Sequence, residues 1–197
     1  MFAKLYDPLM KPLDIILIYK VRNRLLQKAY GEVLEIGSGT GLNFPHYPSA
    51  AEQITAIEPQ RKLRDKSLPR AIRAGNSITV HEGIAEALPY PDNSFDTVVN
   101  TLVFCTIPEP EKAMKEIVRT VKPGGTVLFY EHVQPKNEVM RAVFNKATPL
   151  WKRICDGCHL NRDTETLIRN SPLEIVEKQA SLNEIFIEIT AKLPTEL

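Results

Sequence analysis

The sequence lacks the features that mark secreted, membrane-spanning and nucleic-acid-binding proteins. Its three cysteines are an odd number with no disulfide framework, which favours a reducing cytoplasm. Charged residues interrupt the N-terminus, and the aliphatic run at 15–18 is far too short to span a bilayer, so we expect neither a secretory signal nor a membrane anchor. The net charge of +1 provides no overall attraction to a polyanion, so we expect no nucleic-acid partner.

The pattern of apolar residues predicts a single α/β domain over residues 1–197. Strands are predicted at 33–36, 53–59, 77–83, 95–104 and 126–133, with helices between them at 60–74 and 109–121. Strands that alternate with helices predict a mostly parallel sheet with helices on both faces. Residues 172–180 and 183–193 predict an antiparallel C-terminal hairpin at one edge, with its turn near Ser181.

Two further helical segments flank this pattern. Within the N-terminal segment 1–30, residues 13–30 predict an amphipathic helix with Leu13, Leu17, Val21 and Leu25 on one face. We expect at most weak peripheral membrane contact through this helix. Residues 136–170 predict a helical cap that is broken at Pro149 and near Gly157.

The first predicted strand runs into a turn with three glycines, E-I-G-S-G-T-G at residues 35–41. Glycines at the carboxyl end of a strand let backbone N–H groups approach a ligand closely. The dinucleotide fingerprint G-x-G-x-x-G would need a glycine at Leu42, and the Gly-Lys-Ser/Thr of a P-loop is missing. The turn therefore predicts a ligand-binding loop of a different kind.

Glu58 ends the second predicted strand, about twenty residues after the glycine turn. An acidic side chain in this place can accept hydrogen bonds from both hydroxyls of a ribose. A lone acid before Pro59 could instead cap the next helix. The glycine loop beside it favours ribose binding.

These features, with H-E-G-I-A-E-A-L-P-Y-P-D-N-S-F-D-T-V-V (81–99) and V-K-P-G-G (121–125), resemble the class I S-adenosylmethionine-dependent methyltransferases over roughly residues 30–135. The resemblance implies a Rossmann-like, seven-stranded sheet, S-adenosyl-L-methionine as cofactor and S-adenosyl-L-homocysteine as product. It implies that Glu58 binds the ribose, that 84–86 surround the adenine and that 100–101 lie near the methionine end. The cofactor-binding residues are then Glu35, Gly37, Ser38, Gly39, Thr40, Gly41, Asn43, Glu58, Pro59, Ile84, Ala85, Glu86, Asn100 and Thr101.

A narrower resemblance concerns the substrate. N-T-L-V-F-C-T-I (100–107), F-Y-E-H-V (129–133) and residues 149–168 are similar to the subgroup that includes the animal alkyl-thiol S-methyltransferases. This similarity implies a small thiol substrate, and Phe144, Leu150 and Trp151 in the cap (139–161) suit an apolar one. Two other functions stay open, namely methylation of a lipid head-group amine or a quinone ring, and binding of S-adenosylmethionine without catalysis.

C-D-G-C-H at residues 155–159 matches the attachment signature of c-type haem and half of a zinc site. No second C-x-x-C or H-x-x-x-H pair in the sequence completes a zinc site. In the thiol-methylating subgroup the shared part is Asp156-Gly157-Cys158. We therefore expect a structural cysteine in the cap, without haem or metal.

A thiol must lose its proton before or during attack on a methyl group, and histidine is a common general base. His132 follows the fifth predicted strand, and His159 lies in the cap loop, so these two are the catalytic candidates. His46 lies nearer the glycine turn, where we expect it to pack.

Overall fold

The computed structural model describes residues 18–196, and seven strands form one sheet at its centre. They are β1 (Gly31–Ile36), β2 (Ala51–Ile57), β3 (Ser77–His81), β4 (Phe95–Thr101), β5 (Val121–His132), β6 (Glu174–Ser181) and β7 (Phe186–Lys192). Their order is β3-β2-β1-β4-β5-β7-β6. Strands β1 to β5 pair in parallel, and β7 pairs antiparallel with both β5 and β6. The predicted Rossmann-like fold with an antiparallel edge hairpin is confirmed.

The strand order positions a crevice at one edge of the sheet. From β1 the chain moves outward to β2 and β3, and it then crosses to the other side of β1 for β4 and β5. Connections that leave adjacent strands in opposite directions open a crevice at the carboxyl ends of those strands. The loops after β1 and β4 border this crevice, so ligands are expected there.

Helices connect the strands and cover the sheet. They are α1 (Tyr19–Leu26), α2 (Arg61–Arg73), α3 (Pro110–Thr120), α4 (Glu138–Ile154) and α5 (Thr164–Arg169), together with a short 3-10 helix at Phe44–His46. Side-chain caps fix the start of two of them, because Asn137 accepts the Met140 N–H and Asp163 accepts the Thr166 N–H. None of the helices in residues 18–196 combines the length and apolarity needed to cross a membrane.

Each face of the sheet packs against its own hydrophobic cluster. Successive side chains of a strand point to opposite faces, so Leu34 and Ile36 join one cluster with α3, while Val33 joins the other with α1. Both clusters consist of buried aliphatic and aromatic side chains. The two-sided burial explains the nearly continuous apolar runs of β1 and β4.

Several predicted boundaries are wrong. The predicted break at Pro149 is wrong, because helix α4 runs through this residue. Pro149 has no N–H to donate to the carbonyl of Asn145, but Asn145 is exposed, so water can hydrate that carbonyl. Strand β4 ends at Thr101 because Leu102 has a positive φ of 54°. The turn of the edge hairpin near Ser181 is confirmed, at 182–185, but the last strand starts at Phe186 and not at 183. The predicted helix at 13–30 is observed as Tyr19–Leu26, and its first residues, 13–17, lie outside the described part of the chain.

Candidate active site

A cavity of about 750 Å³ lies at the carboxyl ends of the parallel strands. Its walls come from the loops that follow β1, β2, β3 and β4, from the end of β5, and from α4 with the loop after it. Small-molecule sites typically enclose roughly 300–1,000 Å³. The cavity therefore has the position and the size of a ligand site in this kind of fold.

Two glycines of the predicted turn line the cavity, and they differ in what surrounds them. Gly37 and Gly39 both have positive φ, +65° and +57°. A Cβ on Gly37 would overlap the side chain of Val103, whereas a Cβ on Gly39 would meet nothing within 4 Å. Gly37 thus lets the turn pack against the β4 loop, and Gly39 leaves open space on the cavity side.

Glu58 lines the cavity beside this turn and is almost fully buried. Its Oε2 accepts the Gly39 N–H at 3.0 Å, and its Oε1 accepts the Gln60 N–H at 2.9 Å. Burial raises the pKa of Glu58, and these two backbone hydrogen bonds oppose the rise. Because a carboxylate offers about four acceptor positions, two remain for a pair of hydroxyl groups.

The loop after β3 forms the adjoining wall. Ile84, Ala85 and Glu86 line the cavity there, and Pro59 lines it from the β2 side. A Cβ on Gly83 would lie 3.3 Å from side-chain carbons of Ile57, so this loop packs closely on the end of β2. The result is a largely apolar slot next to the Glu58 carboxylate, of the kind that a flat base can enter.

The other predicted cofactor residues lie outside the cavity lining. They are Glu35, Ser38, Thr40, Gly41, Asn43, Asn100 and Thr101. The Ser38 N–H donates to the carbonyl of Ile57, which holds the turn onto β2. Their part in cofactor binding stays a prediction.

Glu35 and Asn43 belong to a buried polar network on the α1 side of the sheet. Glu35 accepts hydrogen bonds from the Tyr47 hydroxyl at 2.7 Å and from Asn43 Nδ2 at 3.1 Å, and Arg22 donates to Asn43 Oδ1 at 2.6 Å. Burial raises the pKa of Glu35 to about 7, and the hydrogen bonds and Arg22 oppose the rise. The network ties α1 to β1 and to the 3-10 helix.

The three candidate histidines occupy different surroundings. His132, at the end of β5, lines the cavity. His159 is outside the lining, its backbone N–H donates to the carbonyl of Cys105 at 2.8 Å, and burial lowers the pKa of its ring. His46 lies edge-on to the Tyr19 ring, with centroids 4.9 Å apart, and so packs against α1.

His132 is part of a cluster with two cysteines on the cavity wall. His132 Nε2 is 3.2 Å from Cys158 Sγ, and the ligand atoms of Cys105, His132 and Cys158 all lie within 4.8 Å of one another. Hydrogen bonds from Cys105 and from His132 lower the pKa of the Cys158 thiol, whereas the bond to Cys158 and burial raise that of Cys105. The structure thus brings Cys158 close to Cys105, which follows β4. Cys155 and His159 of the local C-x-x-C-H motif are not members of the cluster.

The remaining wall beside this cluster is apolar. It includes Phe144 and Trp151 of α4, Leu160 of the cap loop, and Ile185 and Phe186 of the edge hairpin. The cap reaches the cofactor side of the cavity through a hydrogen bond from Gln60 Nε2 to Asp156. The cap therefore encloses a space with Glu58 on one side and the thiol–imidazole cluster on another.

A family model described as "Methyltransferase domain" matches residues 34–129. The thiol S-methyltransferase TMT1B of Rattus norvegicus is 34% identical over 137 residues, which are 67% of this chain and 55% of that protein. The phosphatidylethanolamine N-methyltransferase of Cereibacter sphaeroides is 30% identical over 150 residues, 75% of this chain and 72% of that protein. The chain belongs to the S-adenosylmethionine-dependent methyltransferases.

Other methyltransferases agree on the fold and differ in named activity. The ubiquinone/menaquinone biosynthesis C-methyltransferase UbiE of Shewanella woodyi is 32% identical over 125 residues, 58% of this chain and 47% of that protein. A solved SAM-dependent methyltransferase of Aquifex aeolicus superposes with a TM-score of 0.70 at 17% identity, over 97% of this chain and 96% of that one. The chain spans about half the length of the rat thiol methyltransferase. Family membership therefore gives S-adenosylmethionine as the cofactor, and it does not decide the methyl acceptor.

Sequence reasoning missed several residues of this methyltransferase site. Cys105, Gln60 and the hairpin residues Ile185 and Phe186 line the cavity, and none was singled out. A signal existed for Cys105 because it follows the strand that neighbours β1, where a ligand crevice is expected. No comparable signal existed for 185–186, because they reach the cavity only through the pairing of β7 with β5.

Proposed function

We propose that this chain transfers a methyl group from S-adenosylmethionine to the sulfur of a small apolar thiol. The observation that carries the proposal is the cluster of Cys105, His132 and Cys158 on the wall of a largely apolar cavity that also contains Glu58. Similarity to a thiol S-methyltransferase over 67% of this chain supports it.

The residues on the β2 side of the cavity fit the cofactor. S-adenosylmethionine, when bound, supplies a methyl group on a positively charged sulfur. Glu58 has free acceptor positions for two ribose hydroxyls, and Ile84 and Ala85 offer an apolar surface to the adenine. The open space at Gly39 lets backbone lie close to the ligand.

The strand order supports an acceptor position at the β4–β5 end of the cavity. Glu58 follows β2 and His132 ends β5, and β1 and β4 lie between them. With neighbouring strands about 4.8 Å apart, the two ends are separated by roughly 14 Å along the sheet edge. A cofactor held by its ribose at Glu58 therefore extends toward the β4–β5 end, and the acceptor binds at the thiol–imidazole cluster.

A thiol requires only modest help to become a nucleophile. Its reference pKa is about 8.5, so a small stabilisation of the thiolate raises the reactive fraction at neutral pH. The cluster at His132 is where the substrate sulfur loses its proton. The apolar side chains of Phe144 and Trp151 line that end of the cavity and suit the alkyl part of the substrate.

A second candidate is methylation of a lipid head-group amine. Similarity to the phosphatidylethanolamine N-methyltransferase over 75% of this chain favours it. Four exposed apolar side chains of α4, Val139, Val143, Leu150 and Ile154, are spaced along one helix face and could rest on a membrane surface. A quinone ring is the corresponding acceptor suggested by the UbiE similarity.

One experiment separates these candidates. The protein is incubated with methyl-labelled S-adenosylmethionine and, in turn, an alkyl thiol, phosphatidylethanolamine vesicles and a soluble quinone. We expect a methyl thioether from the thiol alone, at a rate that rises with pH until the pKa of that thiol is passed. Product from the lipid or the quinone, without any thioether, would contradict the proposal. Tight binding of S-adenosylhomocysteine with no product from any acceptor would indicate a non-catalytic binding protein.

A further inference from the structure

The cluster on the cavity wall has the composition of a metal site. Among the residues that the structure describes, Cys105, His132 and Cys158 bring two sulfurs and one imidazole nitrogen within 4.8 Å of one another. Zinc bonds to sulfur at about 2.3 Å and to imidazole nitrogen at about 2.0–2.1 Å, which places tetrahedral ligand atoms about 3.5–3.8 Å apart. The observed spacing, with 3.2 Å between His132 Nε2 and Cys158 Sγ, needs only small side-chain rotations to meet this geometry.

Backbone contacts hold the three ligands on separate but connected elements. Cys105 follows β4, His132 ends the adjacent β5, and Cys158 lies in the cap loop. The His159 N–H donates to the carbonyl of Cys105 at 2.8 Å, which fixes the cap loop directly beside that residue. The ligand positions are therefore set by the fold, independently of any ion.

A buried carboxyl group next to His132 supports the segment that precedes Cys105. Glu131 precedes His132, is fully buried, and accepts the Val103 and Phe104 N–H groups at 3.0 and 3.2 Å with Oε1. This contact orients the segment that leads into Cys105. The other oxygen, Oε2, is buried without a hydrogen-bond partner among residues 18–196.

The number of ligands indicates which kind of metal site this is. Structural zinc sites have four protein ligands, whereas sites that act on substrate have three and keep one position open. All three ligands here line the same cavity, so a fourth position faces the space assigned to the methyl acceptor. Two thiolates, which are soft donors, and one imidazole favour zinc over magnesium or calcium, which prefer oxygen ligands.

We propose that Cys105, His132 and Cys158 bind one Zn²⁺ ion, whose open position takes the sulfur of the acceptor thiol. The metal assignment rests on the ligand geometry, and its role in methyl transfer rests on the proposed thiol substrate. This proposal differs from the expectation of a structural Cys158 without metal, because the partners of Cys158 are Cys105 and His132, which are distant in sequence, and not the nearby Cys155 and His159.

The chemistry balances without an oxidant or a reductant. Zinc binding releases the thiol protons of the two cysteine ligands to solvent, and the incoming substrate releases its own proton as its sulfur bonds to zinc. Two thiolates and a neutral imidazole leave Zn²⁺ without net charge, so the bound substrate thiolate gives the centre one negative charge and its sulfur stays electron-rich. A sulfur lone pair then forms the new carbon–sulfur bond. The electron pair of the broken methyl–sulfonium bond stays on the sulfur of S-adenosylhomocysteine.

Metal analysis of matched variants tests the site. The full chain is purified under reducing conditions as wild type, as Cys105→Ser and Cys158→Ser, and as the controls Cys155→Ser and His159→Ala. We expect one zinc per chain in the wild type and in both controls. Zinc affinity should fall roughly a hundredfold or more in the two ligand variants, since losing even a supporting contact around a metal costs about 10–100-fold. Circular dichroism verifies that each variant is folded.

Cobalt substitution of the wild type provides a readout that needs neither variants nor activity. Co²⁺ added to the metal-free protein should produce a thiolate-to-metal charge-transfer band and the intense visible bands of tetrahedral coordination. Addition of an alkyl thiol should shift those bands as it enters the fourth position. Loss of bound zinc in Cys155→Ser or His159→Ala would overturn the assignment. A disulfide between Cys105 and Cys158 in the reduced preparation would overturn it as well.

The outcomes also separate this inference from the proposed function. Thiol methylation at an unchanged rate in protein shown to be free of zinc would remove the role of zinc in the reaction and leave the function standing, whereas the absence of zinc binding and of cobalt bands would remove the site itself. One zinc lost in the ligand variants, with thiol-sensitive cobalt bands but product only from a lipid amine or a quinone, would leave the site standing. In that case the thiol-methylating function would fall, and with it the role of zinc in the reaction.

Discussion

The replacement of Gly39 by alanine separates ligand binding from backbone strain. Gly39 and Gly75 both have positive φ, +57° and +81°, and a Cβ on either would meet nothing within 4 Å. Holding a non-glycine residue in the left-handed region costs about 1–2 kcal/mol at either site. Of these two glycines, only Gly39 lines the cavity. Gly75→Ala is therefore a matched control for the stability cost, and any further effect of Gly39→Ala arises in the cavity.

We expect both variants to lose about 1–2 kcal/mol of unfolding free energy in urea, because the strain is the same. S-adenosylhomocysteine should bind Gly75→Ala with wild-type affinity by isothermal titration calorimetry. For Gly39→Ala the added methyl group occupies the space where the ligand approaches the backbone, and we expect at least about a tenfold weaker Kd, or about 1.4 kcal/mol. Equal affinities in the two variants would refute the assignment of this turn to the cofactor.

Two further predictions concern buried carboxylates. Glu58→Ala should weaken S-adenosylhomocysteine binding by about 1.5–3 kcal/mol, the usual contribution of hydrogen bonds to a charged group. Calorimetry with the 2′-deoxyribose analogue checks that the ribose is the partner, because the variant should lose less affinity for this analogue than for S-adenosylhomocysteine. Glu35 has a pKa raised to about 7 by burial, so the folded state loses up to about 3 kcal/mol of stability as pH rises from about 4.5 through about 7. Glu35→Gln should flatten this pH dependence of the unfolding free energy, measured in urea; an unchanged slope would show that Glu35 titrates normally.

The parts of the site that could be predicted from sequence are those that directly follow predicted strands. The glycine turn and Glu58 each follow a strand, and strand ends meet at one edge of a parallel sheet, so their convergence was predictable. Glu35 is adjacent to the turn, yet its side chain points toward α1, on the sheet face of Val33, because side chains alternate along a strand. Proximity to the glycine turn in sequence therefore does not bring Glu35 onto the cavity wall, because the direction of its side chain decides which residues it contacts.

The thiol–imidazole cluster shows why the partners of Cys158 could not be predicted from the C-x-x-C-H motif. Metal-site rules look for pairs of ligands close in sequence, and by that rule Cys158 had only Cys155 and His159 as partners. The structure brings Cys158 to Cys105 and His132 instead. Two long-range features are responsible: β4 and β5 pair in parallel, so the residues that follow them lie side by side, and the cap loop folds back onto Cys105 through the His159 N–H. Neither feature has a local signature. Because Cys158 comes from the cap while Cys105 and His132 follow or end strands of the sheet, a metal at the proposed site would link the cap to the sheet.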